Sequence, residues 1–158
     1  MKGKAQYPFG YGLTYGKLEL TAAKIQENGT GADVRVTVYN SGGQEVTETI
    51  QVYVKNSKSP YAPLHPALAA FQPDHRSAWR DLLEKTLTLD ESAFTIVDEK
   101  GQRQTAAGTF EVYAGFSQPD ERSVELMGCA PVRLEFQVSR SRFSWLFHLL
   151  FFFVNSQT

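Results

Sequence analysis

The chain is 158 residues long, which is the size of one ordinary domain and enough to bury a sizeable core. Hydrophobic residues make up 42% and charged residues 21%, as in folded soluble proteins, so a disordered or collagen-like chain is excluded. Sixteen basic and seventeen acidic side chains leave a net charge of -1, which provides no electrostatic attraction for a nucleic acid partner.

The cysteine content and the N-terminus narrow the class of protein further. Cys129 is the single cysteine, so neither an intrachain disulfide nor a thiolate metal cluster can form. The N-terminal stretch MKGKAQYPFGYG contains two lysines but no apolar run of the length that a signal peptide needs. The sequence as written therefore predicts no signal peptide and a cytoplasmic chain.

Apolar residues alternate with polar ones in the first third of the chain, which is the pattern of half-buried β-strands. A first strand starts at Leu18 and ends near Ile25. Two further strands have apolar residues at alternate positions, Val34, Val36 and Val38 in one and Ile50, Val52 and Val54 in the other. The turn-forming sequence Asn-Ser-Gly-Gly at residues 40–43 lies between them, so the two are predicted to form an antiparallel pair.

The same period of two predicts four more strands later in the chain. Their apolar positions are Leu83, Leu87 and Leu89; Phe94 and Ile96; Phe110, Val112 and Ala114; and Leu134, Phe136 and Val138. Residues 76–86 contain a short helix-like pattern, but its continuation into the following strand favours β-structure, and no convincing amphipathic helix is found. About seven strands separated by turns predict an all-β, antiparallel sandwich.

Two segments depart from the alternating pattern. Residues 56–66 contain three prolines and predict a long surface loop, because proline cannot donate to a sheet ladder. Residues 139–158 form an apolar tail of uncertain origin, whose run of Phe and Leu is too short for a membrane-spanning helix of about twenty residues. Three interpretations remain for the tail: a stretch foreign to the domain, an anchor at a membrane surface, or a segment packed on the edge of the sandwich.

The acidic residues and histidines offer no constellation for chemistry. Six acidic residues in turns or at a strand start are interpreted as solvated charge, namely Glu45, Glu48, Asp98, Glu99, Asp120 and Glu121. The histidines lack the spacing of metal ligands, and no phosphate- or dinucleotide-binding motif is present; they are His65, His75 and His148. The sequence therefore predicts no catalytic residue, no metal and no cofactor.

The segment YPFGYGLTY, residues 7–15, is the most informative cluster in the sequence. Its aromatic residues are Tyr7, Phe9, Tyr11 and Tyr15. The intervening glycines let the backbone turn sharply or approach another surface, while aromatic side chains bury large areas or stack on sugar rings. Residues 1–16 are interpreted as a linker-like docking segment that packs on a neighbouring domain or on the sandwich end. The alternative, a sugar-stacking platform, is less favoured.

This aromatic segment resembles the one that leads into the C-terminal fibronectin type III-like domain of family-three glycoside hydrolases, the β-glucosidases and their relatives. Similar motifs follow in order, VRVTVYNSGGQEVTETIQVYV, LTLDESAFTIVDEKGQ and GTFEVYAGFSQPD, so the resemblance spans about residues 7–138. It implies a fibronectin type III-like, immunoglobulin-like β-sandwich over residues 17–138.

The resemblance also implies what the chain lacks. Enzymes of that family have their nucleophilic Asp in an N-terminal barrel and their acid/base residue in a following α/β sandwich domain, and neither domain is in this sequence. We therefore expect a non-catalytic accessory domain, a fragment of a glycosidase acting on O-glycosidic bonds, with the barrel and the α/β domain as its partners. The alternative is a stand-alone carbohydrate- or protein-binding module.

The sequence departs from the family pattern in one region. The family commonly has Leu-Lys-Gly-Phe where residues 68–73 read LAAFQP, and its Pro-Gly-Glu turn is replaced by DHRSAW at residues 74–79. The first of these changes removes a glycine and adds a proline. We expect a different sheet edge or interface at this place.

Overall fold

The computed structural model describes residues 6–12, 16–77 and 82–139, except for the side chains of residues 74–77. These residues form nine strands, one α-helix and one short 3₁₀ helix. The strands are β1 (Leu18–Glu27), β2 (Gly31–Asn40), β3 (Val46–Lys55), β4 (Ala67–Ser77), β5 (Leu82–Asp90), β6 (Thr95–Val97), β7 (Arg103–Thr105), β8 (Gly108–Gly115) and β9 (Val132–Val138). The helices are the 3₁₀ helix Glu91–Phe94 and α1 (Glu121–Met127).

Seven of these strands form two antiparallel sheets. The first has the order β1-β2-β5 and the second the order β4-β3-β8-β9, while β6 and β7 pair as a separate ribbon. The predicted all-β sandwich of about seven strands is thus confirmed. The strands that form the two sheets differ from the predicted ones in two places. β4 was not predicted as a strand, and the strand predicted at Phe94 and Ile96 belongs to the 3₁₀ helix and the ribbon.

The predicted pairing of the second and third strands is wrong. β2 pairs with β1 and β5, whereas β3 pairs with β4 and β8. Residues 40–43 do form a turn, but it carries the chain from one sheet to the other. The side chain of Asn40 closes this turn by donating to Gln44 O at 2.8 Å and accepting from Gly42 N–H at 3.0 Å.

The hydrophobic core lies between the two sheets. Valines 34, 36 and 38 of β2 and the apolar residues Ile50, Val52 and Val54 of β3 are all buried in it. One end is filled by aromatic rings: the centroid of Phe94 lies 5.3 Å from that of Phe110 in an edge-to-face contact and 5.0 Å from that of Phe136. Alternation in the sequence therefore identified the core residues, although it did not identify the strand neighbours.

The helix α1 is a second correction, because the sequence shows no convincing helix. Asp120 accepts a hydrogen bond from Ser123 N–H at 2.6 Å and caps its first turn, and Gly128, with a φ of 70°, ends it. Its seven residues are too few to display a helical period.

The loop predicted over residues 56–66 is confirmed between β3 and β4. None of the described helices is long and apolar enough to cross a membrane.

Candidate functional site

A tight turn precedes β1 and presents the aromatic residues found in the sequence. Tyr11 N–H donates to Pro8 O at 3.2 Å, and Gly10 between them has a φ of 75°, which favours glycine. Pro8 is buried, whereas Tyr7 is 68% exposed and Phe9 64% exposed. The turn thus packs against the sandwich through Pro8, and the side chains of Tyr7 and Phe9 are exposed at the surface.

A buried glutamine of β3 anchors this turn. The Nε2 of Gln51 donates to Gly10 O and to Phe116 O, both at 3.0 Å, and its Oε1 accepts from the hydroxyl of Tyr53 at 2.6 Å. Gln51 is 6% exposed and Tyr53 2% exposed. A buried polar group without a partner costs roughly 1–3 kcal/mol, so three hydrogen bonds on one amide fix the position of the turn.

Burial keeps the Tyr53 hydroxyl protonated, so that it can donate its hydrogen bond to Gln51. Desolvation, assisted by the negative charge of Asp120, raises the pKa of Tyr53 to about 12. The phenol therefore stays protonated at any physiological pH and donates to Gln51 throughout. The anchor is not a pH switch.

Gly10 is required at the point where the turn meets the anchor. A Cβ atom at this position would lie 2.2 Å from Gln51 Oε1 and 2.9 Å from the Tyr53 hydroxyl. Any larger residue would displace either the Gln51 amide or the turn and would also strain a backbone with positive φ. Gly12, in contrast, has nothing within 4 Å of such an atom.

Two of the four predicted aromatic residues are in contact on this surface. The rings of Tyr7 and Tyr11 stack with centroids 5.7 Å apart and an interplanar angle of 18°, and Phe9 lies between them in the chain. Tyr15 lies outside the described residues. We call the surface of Tyr7, Phe9 and Tyr11 the aromatic turn. Because the two tyrosines cover one face of each other, only their outer faces are available for further contact.

A polar network lies on the face of the four-stranded sheet that points away from the core, which is also the face of Gln51 and Tyr53. Glu111 of β8 accepts hydrogen bonds from Ser57 at 2.6 Å, Tyr113 at 2.8 Å and Arg133 at 2.6 Å. The Ser57 hydrogen bond first, and then those from Tyr113 and Arg133, lower the pKa of Glu111 to about 2 against the opposing effect of desolvation. The network is a fixed polar surface that ties the loop after β3 to β8 and β9.

Sequence reasoning missed both the anchor and this network. Gln51 and Tyr53 alternate with core valines, and Glu111 and Tyr113 alternate with Phe110 and Val112 of the core, so their positions on the outer face were readable. Nothing in the local sequence distinguishes a covered outer face from a solvated one. The hydrogen bond between Gln51 and Gly10 joins residues 41 positions apart.

Two of the acidic residues considered for chemistry, Asp98 and Asp120, accept hydrogen bonds from backbone N–H groups. Asp98 accepts from Lys100 N–H and Gln102 N–H, both at 2.9 Å, and Asp120 caps α1. His65 lies in the loop after β3, whereas the His75 side chain and His148 are outside the description. Within the described residues no group of acidic, histidine and cysteine side chains is placed to hold a metal ion.

Comparison with known proteins shows that the chain is similar to a part of longer glycosidases. It is 36% identical over 123 residues to an exo-α-(1→6)-L-arabinopyranosidase of Bifidobacterium longum, covering 75% of this chain and 16% of the relative. It is 31% identical over 119 residues to a xylan 1,4-β-xylosidase of Xylanibacter ruminicola, covering 74% of this chain and 14% of the relative. No family model matches the sequence.

The fold of the chain is also similar to part of a solved glycosidase structure. The GH3 β-glucosidase of Bifidobacterium adolescentis matches with a TM-score of 0.69 and 27% identity, over 84% of this chain and 18% of that one. The chain therefore spans less than a fifth of the length of each of these three proteins. The similarity lies in one domain-sized part of each of them.

Proposed function

Because this chain is a domain related to the family-three glycoside hydrolases, we propose that it is a non-catalytic accessory domain of a longer glycosidase. In this proposal it docks through the aromatic turn on the barrel and α/β domains that the sequence resemblance implies. The observation that carries the proposal is the anchor: Gln51 holds the turn so that Tyr7 and Phe9 are exposed although their backbone is fixed. A preformed apolar surface loses little entropy on docking.

The absence of catalysis by this chain is part of the proposal. A glycosidase needs two carboxyl groups about 5–9.5 Å apart on either side of one bond. In the described part of the chain, Asp98 and Asp120 accept backbone hydrogen bonds and Glu111 forms an ion pair with Arg133. We expect the purified chain to release no nitrophenol from aryl β-xylosides, β-glucosides or α-arabinopyranosides between pH 4 and 8. Turnover that co-purifies with the protein would contradict this part.

The docking role is tested with the catalytic part of a relative. The B. longum arabinopyranosidase, produced without the region that matches this chain, is mixed with the chain, and complex formation is followed by sedimentation velocity. We expect a complex with the unchanged chain and at least tenfold weaker association for the double variant Tyr7→Ser/Phe9→Ser, because aromatic anchors at the centre of an interface dominate its energy. The control is Leu82→Ser. Leu82 is an apolar residue of the first sheet, and it is 63% exposed.

Two results would overturn the docking role. One is the absence of a complex with the catalytic part when the chain is intact and folded. The other is a complex that the double variant and the Leu82 control weaken equally. The first result would also leave the expectation of no catalysis intact, so the two parts of the proposal are separable.

A stand-alone carbohydrate-binding module is the second candidate, favoured by the exposed aromatic rings. Its weakness is the stacking of Tyr7 on Tyr11, which uses one face of each ring that a sugar would otherwise cover. Titration with xylo- and cello-oligosaccharides, followed by amide chemical shifts of residues 6–12, decides between them. Shifts confined to the aromatic turn at millimolar sugar would favour the module over docking.

A further inference from the structure

A groove on another side of the sandwich has the features of a peptide-binding site. It has a volume of about 480 Å³ and is lined by the first residues of β4, the ribbon strand β6, the 3₁₀ helix and the loop after β3. Val54 and Phe110 of the core form part of its lining, and Tyr61, Leu68 and Val97 are exposed apolar residues around it. The aromatic turn contributes no residue to this lining.

Among the described residues, no second strand pairs with the sheet edge at this groove. β4 lies at the edge of the four-stranded sheet, and within the described residues its ladder is with β3 alone. Natural edge strands are protected against pairing by charged residues and proline. The first half of β4, residues 67–71, reads ALAAF and has neither, whereas Pro73 lies in the second half. This is also the region where the sequence departs from the family pattern.

The local geometry opens the edge further. A register shift between Val52 and Tyr53 of β3 leaves Ala69 without a residue opposite it, and both Leu68 and Ala69 line the groove. Bulges of this kind occur at sheet edges and beside binding sites, where they redirect side chains. Alanine side chains also let another backbone approach closely. The edge is therefore shaped for an added strand.

The charged residues that line the groove indicate which side chains an added strand would carry. Among the described residues that line it, the charged ones are Lys55 and Arg103, and both are basic. Lys55 Nζ donates to Leu64 O at 2.9 Å and Arg103 to the Thr95 hydroxyl at 3.3 Å, so each has donors left. Glu99 stands beside the groove, held by the Tyr61 hydroxyl at 3.3 Å. Two cations beside apolar walls favour a ligand with both carboxylate and apolar side chains.

We propose that this groove binds an extended peptide segment of a partner protein, with alternating acidic and apolar side chains, that adds a strand to β4 along residues 67–71. Main-chain hydrogen bonds to the edge supply affinity, and the side chains on one face supply specificity. The carboxylates of the segment lie near Lys55 and Arg103. The inference goes beyond the accessory role, since the surface and the residues are different.

The test uses the full chain and two synthetic probes. One is a capped peptide of about eight residues in which Glu alternates with Val, the length of an ordinary strand, and the other has Lys in place of Glu. We expect the acidic peptide, but not the basic one, to shift the amide resonances of residues 67–71 and to protect them from hydrogen exchange. We expect the affinity to fall with salt, as for exposed charge pairs.

Substitutions then locate the interaction. We expect Arg103→Glu to weaken the acidic peptide about tenfold and to admit the basic one, because like charges across an interface exclude a partner. The matched control is Arg35→Glu, the same charge change at an exposed residue of β2 in the other sheet, which should leave both affinities unchanged. If Arg103→Glu disturbs the ribbon, Lys55→Gln serves as the second variant and should weaken the acidic peptide alone.

Several outcomes would overturn the inference. Equal binding of the two peptides, amide shifts elsewhere, or no binding at millimolar peptide would each do so. Shifts of the same amides by a uronic-acid-bearing xylo-oligosaccharide, without binding of the peptide, would show a carbohydrate site instead. The variant Tyr7→Ser/Phe9→Ser should bind the acidic peptide normally, so failure here is distinguishable from failure of the proposed docking role.

Discussion

Strands β2 and β3 have similar sequence patterns but different surroundings. In β2 the three core valines are buried, and Asp33, Arg35 and Thr37 between and before them are at least partly exposed. In β3 the residues between the core positions, Gln51 and Tyr53, are buried as well. The second buried face exists because the turn before β1 lies over it. A strand with two buried faces thus marks the side of the sandwich where another segment has been fixed in place.

The largest expected effect comes from removing the anchor on β3. We expect Gln51→Leu to lower the free energy of unfolding by about 3 kcal/mol, because Phe116 O and the Tyr53 hydroxyl, both buried, each lose a partner at roughly 1–3 kcal/mol. The bond to Gly10 O is only partly buried and adds less. Urea unfolding measures this. On β2 the corresponding change Arg35→Leu should cost less than about 0.5 kcal/mol. Equal losses for the two variants would abolish the distinction between the strands.

The next effect concerns the turn itself. We expect Gly10→Ala to destabilise the chain by about 2 kcal/mol, since the positive φ costs about 1–2 kcal/mol and the new methyl group meets Gln51 Oε1. Gly12→Ala is the matched control, because its Cβ has open space, and its effect should be within about 0.5 kcal/mol of zero. Thermal unfolding of the two variants compares them directly. A harmless Gly10→Ala would mean that the turn moves freely over β3.

The main strands were predictable from sequence because apolar residues recur with a period of two in them; they are β1, β2, β3, β5, β8 and β9. β4 was missed because its ALAAFQP sequence has no alternation and contains Pro73. The pairing of β2 with β3 was predicted wrongly because alternation identifies the face that is buried and not the neighbouring strand. Both strands contribute to one core from opposite sheets, which satisfies the same pattern as a hairpin would.

The candidate site was predictable only in its exposed part. Four aromatic residues among glycines in residues 7–15 are conspicuous, and the structure stacks Tyr7 on Tyr11 and leaves Phe9 exposed. The parts that hold them were not, because Gln51 occupies a position in β3 that looks solvent-facing by its polarity. Its burial depends on a segment far away in the sequence. Long-range contacts of this kind leave no local signal.

A smaller effect is expected from the polar network, and it depends on pH. The pKa of Glu111 is lowered from 4.5 to about 2 in the folded chain, so its stabilisation is present above pH 4.5 and is lost as the pH falls from there towards 2. We expect Glu111→Gln to cost about 1 kcal/mol at pH 7, less than the full shift implies because Arg133 is half exposed and screened. The difference between the unchanged chain and the variant should shrink below pH 4.5.

The control for this network is Glu135, which contacts Arg133 at 3.3 Å but is largely exposed. Glu135→Gln should change stability by less than about 0.5 kcal/mol at any pH. A pH-independent loss for Glu111→Gln would show that the Ser57 and Tyr113 hydrogen bonds matter and the charge does not. Guanidinium chloride is unsuitable here because it screens the ion pair, so urea titrations at a series of pH values are needed.

The smallest effect on stability is expected from the residues that are proposed to matter most for docking. Tyr7 and Phe9 are mostly exposed, so Tyr7→Ser/Phe9→Ser should change the free energy of unfolding by less than about 0.5 kcal/mol, apart from the loss of the Tyr7–Tyr11 contact. Residues that pack the turn onto its own domain would be buried and costly to remove. A loss above about 2 kcal/mol in the isolated chain would show that the aromatic turn is internal packing, like the outer face of β3 beneath it, and not a surface kept for a partner.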